Sequence, residues 1–362
     1  MTRDELLSIR VEHPDHRLYE ETKQNLDRLA KPLDGLGDLE TAICRIAAVQ
    51  GTVRPHIDSR ALVIFCADNG IVEEGVSQTD KSVTASVAAL MAENKSSVGI
   101  MTHGDPLTIY TVDVGIDHEA PIKGVIDLRV ASGTANFLKE PAMTESMCLK
   151  AIESGMEMAR RCHKAGHDIL ATGEMGIGNT TTSTALYCAL TGELPVNATG
   201  RGAGLSDEGL VRKIRVIDRA LRLYGLDPAK AGRASKEYAF RALCSVGGLD
   251  IAALAGFMIG GATLRIPVVV DGLISAVAAM TAAMLVPGTE HVLLASHAGR
   301  EQGVRGALKC LGLSPVIEGD LALGEGTGAV MLFPLLDMAF RLYNSGTTFA
   351  DASIGQYERY DG

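Results

Sequence analysis

The feature that most constrains this chain is a short, unbroken apolar run that recurs and each time stops at a polar residue. Ala61-Leu62-Val63-Ile64-Phe65-Cys66 leads into Ala67-Asp68, and Leu107-Thr108-Ile109-Tyr110-Thr111-Val112 stops at Asp113. Asp168-Ile169-Leu170-Ala171-Thr172 stops at Gly173-Glu174, Pro267-Val268-Val269-Val270 at Asp271, and His291-Val292-Leu293-Leu294-Ala295 at Ser296. Runs without apolar–polar alternation are the pattern of strands buried on both faces, which occur in parallel sheets. Helical stretches such as 146–164 and 249–264 separate them. Strand and helix alternate, so the chain reads as an α/β protein: an open, mostly parallel sheet with helices on both faces.

In such sheets ligands bind outside the carboxyl ends of the strands. That places Asp68, Asp113, Glu174, Asp271 and Ser296 along one edge. Taken singly, each reads as a helix cap; several together point to a site.

Composition narrows the function. The chain has 362 residues, enough for two domains, and a net charge of −10 with no Trp and 4% aromatic residues. That balance excludes a basic nucleic-acid binder and leaves few platforms for stacked bases. The seven cysteines are an odd set without a Cys-x-x-Cys pair, and read as reduced thiols of a cytoplasmic protein rather than disulfides or a metal site. The uncharged stretch 272–289 reads as a buried helix rather than a membrane span, and Thr2 with Glu5 as a capping box. Residues 1–60 are expected to be helical and to form a small domain with residues 334–362, around an α/β domain at 61–333.

Three glycine clusters carry chemistry. In Thr172-Gly173-Glu174-Met175-Gly176-Ile177-Gly178-Asn179-Thr180-Thr181-Thr182, glycines precede hydroxyls at a helix start, where amides and dipole favour a phosphate. Asn179 stands where a Walker loop requires Lys, so the loop is not that of an NTPase. Gly200-Arg201-Gly202-Ala203-Gly204, with Lys213 beyond it, suits an anion. In Leu323-Gly324-Glu325-Gly326-Thr327-Gly328, a lone carboxylate lies between glycines; it reads as a solvated turn or as a desolvated general base.

These clusters, together with residues 247–256, Val270-Asp271-Gly272, 31–40, 67–77, 133–137 and 141–144, resemble the nicotinate-nucleotide–dimethylbenzimidazole phosphoribosyltransferases, in order, from about residue 30 to 340. The resemblance implies a Rossmann-like domain with a small helical domain, usually dimeric. It implies transfer of 5-phosphoribose from nicotinate mononucleotide to a cobamide lower-ligand base, with neither metal nor cofactor. Glu325 is then the catalytic base, and Glu174 is a candidate to stabilise positive charge on the ribose. Nucleotide binding is expected of Gly176, Ile177, Gly178, Asn179, Thr180, Thr181, Arg201, Gly202, Gly204, Lys213 and Ser296, and acceptor binding of Ser77, Ser86, Met175 and Leu323.

Two departures fall on the acceptor side. Gly299 replaces a Ser in Ser296-His297-Ala298-Gly299-Arg300-Glu301, and Ser86 stands where many members place Gln. The shorter side chain at 86 opens a second reading, transfer to a phenol such as p-cresol by the catalytic subunit of a heterodimer instead of a homodimer. A third, of another class, is a silent nucleotide-binding partner subunit. No nucleic-acid or membrane partner is expected.

Overall fold

The computed structural model describes residues 1–227 and 235–359. Six parallel strands form the main sheet in the order β3-β2-β1-β4-β5-β6. They are β1 (Arg60–Ala67), β2 (Leu107–Gly115), β3 (Ile126–Asp127), β4 (Ile169–Met175), β5 (Val268–Val270) and β6 (Leu293–Ala295). All five apolar runs are strands, and the Rossmann-like expectation holds. Two elements lie outside the expected set: the two-residue β3, and a small parallel pair of β7 (His297–Gly299) and β8 (Ile317–Leu321).

Strand β1 shows why the runs lack alternation. All eight of its residues are buried. Ala61, Val63, Phe65 and Ala67 face one apolar cluster, while Leu62, Ile64 and Cys66 face another. Helices Glu145–Lys164 and Leu249–Leu264 pack against the first face; Asp38–Gln50 and Thr327–Ser345 cover the second. The uncharged stretch after Asp271 forms the buried helix Leu273–Leu285, and among the described residues no helix is long and apolar enough to cross a membrane. Thr2 and Glu5 form the expected capping box.

The two ends of the chain meet. Ala30 N–H donates to Thr347 O at 2.9 Å and Phe349 N–H to Arg28 O at 2.9 Å. Arg359 pairs with both Asp27 and Asp34. Beside them Glu40 is buried and organises the turn at 31–37, accepting from Lys31 Nζ at 2.7 Å, Lys23 Nζ at 3.0 Å and Leu36 N–H at 3.0 Å.

The closest helix contact sets the depth of the first face. A Cβ on Gly155 would lie 1.9 Å from Ala253 O, and one on Gly256 would lie 2.0 Å from Ile152 O. Both obstacles are backbone, so relief requires moving a helix. Gly155→Ala and Gly256→Ala are each expected to destabilise the fold by about 1–3 kcal/mol or more. A lower urea midpoint at unchanged slope would bear this out; unchanged midpoints would refute the helix contact.

Candidate active site

The chain leaves β1 for β2 and β3 on one side, then returns to place β4, β5 and β6 on the other. That reversal creates a crevice at the carboxyl edge. A cavity of about 320 Å³ opens beside it, within the range of small-ligand sites. Its walls come from the tails of β4, β5 and β6, the loop at 201–203, the segment 76–78 and the glycine-rich loop at 321–327.

The β4 tail supplies the first wall. Gly178, at φ +92°, turns the chain into helix Asn179–Thr191, whose start has no side-chain cap. A Cβ on Gly176 would come within 2.5 Å of Ala67 O, so the tail must lie against β1. The positive end of the helix therefore opens toward the cleft, where Ile177, Gly178 and Thr180 line it.

Lys213 reaches the same place from helix Asp207–Leu223. It is fully buried, with Nζ 2.8 Å from Thr180 Oγ1 and 3.1 Å from Gly200 O. Burial pushes its ammonium down to about 8, opposed by the nearby charge of Glu301. Among the described residues it makes no ion pair of 4.0 Å or less. A buried cation held only by neutral oxygens is short of an anion.

Asn179 takes a different part from the one expected. Its backbone N–H donates to Gly176 O at 3.1 Å, and its side-chain amide goes to two carboxylates: Glu174, and Asp250 at 3.1 Å. Both carboxylates are buried. Burial, with the charges of Asp250, Asp271 and Glu325 around it, pushes the Glu174 carboxyl up to about 8 against the pull of Asn179. Burial likewise pushes Asp250 up to about 6, held down by Asn179 and backbone N–H groups.

Glu325 faces this group from the opposite loop. Gly324, Glu325 and Gly326 have φ of +88°, +60° and +82°, three left-handed residues in succession. For Glu325 that conformation costs roughly 1–2 kcal/mol. The flanking glycines also allow contact: a Cβ on Gly324 would lie 2.7 Å from Glu174 Oε1, and one on Gly326 would lie 2.5 Å from Leu62 Cδ1. Glu325 Oε2 accepts the backbone N–H of Val98 at 3.0 Å.

The remaining expected residues divide. Ser77, Met175, Arg201, Gly202 and Leu323 line the cleft. The Arg201 guanidinium is turned to Asp207 and to Leu205 O. Gly204 lies behind the wall, its carbonyl accepting from Gln78. Thr181 is fully buried, its hydroxyl without a partner. Ser296 is also buried and donates to Val270 O at 2.6 Å, so it does not face the cleft. Ser86 is misplaced by the sequence reading. It sits on the exposed face of helix Ser82–Ala92, donating to Ser82 O at 3.3 Å, while Val87 lines the cleft. Of the edge acids, Glu174 and Asp271 line the cavity. Asp68 instead accepts Asp117 N–H at 2.8 Å, and Asp113 accepts Gly115 and Ile116 N–H at 2.9 and 2.8 Å.

Asp250 and His297 received no role from the sequence. Asp250 had a readable signal: it is the sole charge in helix Leu249–Leu264. A lone buried acid in an apolar helix needs a partner.

The phosphoribosyltransferase family profile matches residues 11–354. The nicotinate-nucleotide–dimethylbenzimidazole phosphoribosyltransferase of Ruminiclostridium cellulolyticum is 40% identical over 94% of this chain and 94% of its own. The protein of the same name from Acetivibrio thermocellus is 39% identical over 94% and 96%. The chain belongs to this family. The crystal structure of CobT from Thermus thermophilus superposes with a TM-score of 0.86 at 36% identity, covering 94% of this chain and all of that one. The family match thus spans the sheet and the cleft.

Glu174 makes the fold's stability depend on pH. With its carboxyl raised from 4.5 to about 8, the folded chain keeps a proton there that the unfolded chain releases. This contribution is full below pH 4.5 and is lost as pH rises toward 8. Glu174→Gln should therefore gain stability relative to the parent between pH 5 and 8, by a few kcal/mol in order of magnitude. Denaturant unfolding of both proteins across that range checks it; parallel curves would show that Glu174 ionises freely in the fold.

Proposed function

We propose that this chain transfers 5-phosphoribose from nicotinate mononucleotide to a ring nitrogen of a cobamide lower-ligand base, 5,6-dimethylbenzimidazole or a close relative. Nicotinate and an α-riboside 5′-phosphate are the products. The observation that carries the reading is one cleft in which the buried Lys213 ammonium sits at a helix start, and Glu174 on the adjoining β4 tail faces Glu325 on the opposite loop.

The chemistry fits those groups. The C1′–N bond breaks with its electron pair moving onto the pyridinium nitrogen, so the leaving group needs no acid. The donor's phosphate needs an anion cradle, supplied by the start of helix Asn179–Thr191, Thr180 and Lys213. The attacking ring nitrogen forms the new bond to C1′, and the proton from its partner N–H passes to a base. Glu325 takes that proton; the Val98 N–H holds its carboxylate in place. Glu174 lies beside it to stabilise positive charge on the ribose once ionised, and the cationic donor favours that ionised form. Ser77, Met175 and Leu323 form the acceptor side. The phenolic alternative rests on room left by Ser86, which lies outside the cleft, so no observation favours it.

The same reading includes a small helical domain built from residues 1–60 and 334–362, supported by their mutual contacts. It includes a dimer, supported by exposed Ile100, Met101, Met331 and Met338 on two helices that pack together. A cytoplasmic setting agrees with seven unpaired thiols, five of them buried.

Glu325→Gln should lower turnover by about 10²–10⁴-fold while the nucleotide still binds. Nicotinate release from nicotinate mononucleotide with dimethylbenzimidazole measures it, and near-parental rates would remove Glu325 from the chemistry.

Lys213→Met should weaken donor binding by about 10- to 100-fold, the worth of one charge-assisted contact. In the parent, donor affinity should fall as pH rises past about 8, where the free ammonium loses its proton. The variant should lose that dependence, as read by calorimetry.

A further inference from the structure

His297 begins β7, immediately after the β6 tail, and lines the cleft while only 4% exposed. Its protonation pattern follows from its neighbours. Ser296 Oγ lies 2.6 Å from Val270 O and 3.0 Å from His297 Nδ1. A carbonyl can only accept, so the Ser296 hydrogen is committed to Val270. Toward His297 the hydroxyl oxygen is then an acceptor, and Nδ1 must carry the proton. Asp271 Oδ1, 3.9 Å from Nδ1, favours the same arrangement. Asp271 is itself fixed, accepting Ala329 N–H at 3.0 Å.

With the Nδ1 proton so held, the one-proton form of the ring presents a lone pair at Nε2. That atom has no hydrogen-bond partner among the described residues. It lies beside two glycines that line the cleft: Cβ atoms on Gly272 and Gly299 would come within 3.6 and 3.7 Å of it. On the other side of the ring a Cβ on Gly328 would lie 2.0 Å from Nδ1, so the ring cannot swing that way. An oriented acceptor that opens on the cleft with no partner from the chain is placed to meet a donor on a ligand.

We propose that His297 Nε2 accepts a hydrogen bond from a ribose hydroxyl of the phosphoribosyl donor, with Ser296 and Asp271 as positioning residues for the ring. The inference rests on the function proposed above. The lone pair needs an O–H or N–H. The donor's phosphate dianion and pyridine carboxylate are acceptors only, whereas its 2′ and 3′ hydroxyls can donate. The other hydrogen in the reaction, the N–H of the acceptor base, goes to Glu325.

The test compares kcat/KM of the parent, His297→Phe and Ser296→Ala with nicotinate mononucleotide and its 2′-deoxy and 3′-deoxy analogues. In the parent, one deoxy donor should be about tenfold poorer than the ribosyl donor. His297→Phe should lose about tenfold with the ribosyl donor and under about twofold with that deoxy donor. Ser296→Ala frees the ring to change tautomer, and should show the same pattern with a smaller loss, about threefold. If His297→Phe does not fold, as judged by its melting curve, Ser296→Ala carries the comparison alone. Equal losses with all three donors would overturn the proposal and give the lone pair to the acceptor base or to packing. If the parent releases no nicotinate from the ribosyl donor, the proposed function itself fails. If it does release nicotinate and the losses are additive, only the assignment of His297 fails.

Discussion

One side-chain amide holds the site together. Asn179 Nδ2 donates both to Glu174, at the end of β4, and to Asp250, at the start of helix Leu249–Leu264. Two buried carboxylates close enough to share one amide repel each other when both are ionised. The single NH₂ group between them, with its two hydrogens, matches that geometry. It ties the central sheet to helix Leu249–Leu264, which packs against it, and to helix Asn179–Thr191, whose start lines the cleft. Burial raises the Glu174 carboxyl, the charges of Asp250, Asp271 and Glu325 add to it, and the Asn179 amide only partly offsets them, since no Lys or Arg joins it among the described residues.

The opposite wall depends on glycine for two separate reasons. Gly324 and Gly326 flank Glu325 in a left-handed run, which only residues without a Cβ adopt freely. Gly173 on β4 lets that loop lie on the strand, since a Cβ there would meet Glu325 O at 2.9 Å. The loop bearing Glu325 and the strand bearing Glu174 are thus in backbone contact. A shift of the loop backbone relative to the β4 backbone is blocked on that side.

Much of this was legible in the residues, for identifiable reasons. Strands β1, β2, β4, β5 and β6 are buried on both faces and therefore read as unbroken apolar runs. β3 has two residues, and β7 and β8 are short and glycine-containing, so no period could be seen. The carboxyl-edge rule found Glu174 and Asp271. It overreached at Asp68, Asp113 and Ser296, whose oxygens serve neighbouring groups of the chain itself. Ser86 failed for another reason. Ser82–Ala92 has a weak polar–apolar pattern, so nothing in its sequence sets the phase of the helix, and one residue turns a side chain by about 100°. The dual role of Asn179 and the tautomer of His297 depend on distances between segments far apart in the chain, which no local pattern encodes.

The clasp between the ends of the chain bears on how the protein comes into being at the ribosome. Domains tend to fold as they emerge, N-terminal parts first. Helices His16–Asp27 and Asp38–Gln50 appear early, but their partners at Tyr343, Thr347, Phe349 and Arg359 follow only after every strand. Glu325 also arrives late, after every strand of both sheets has been made. A nascent chain can therefore build both sheets and the start of helix Asn179–Thr191 before it has either Glu325 or the clasp. The two carboxylates that face each other across the cleft therefore come together only after the sheet exists, and the clasp closes later still.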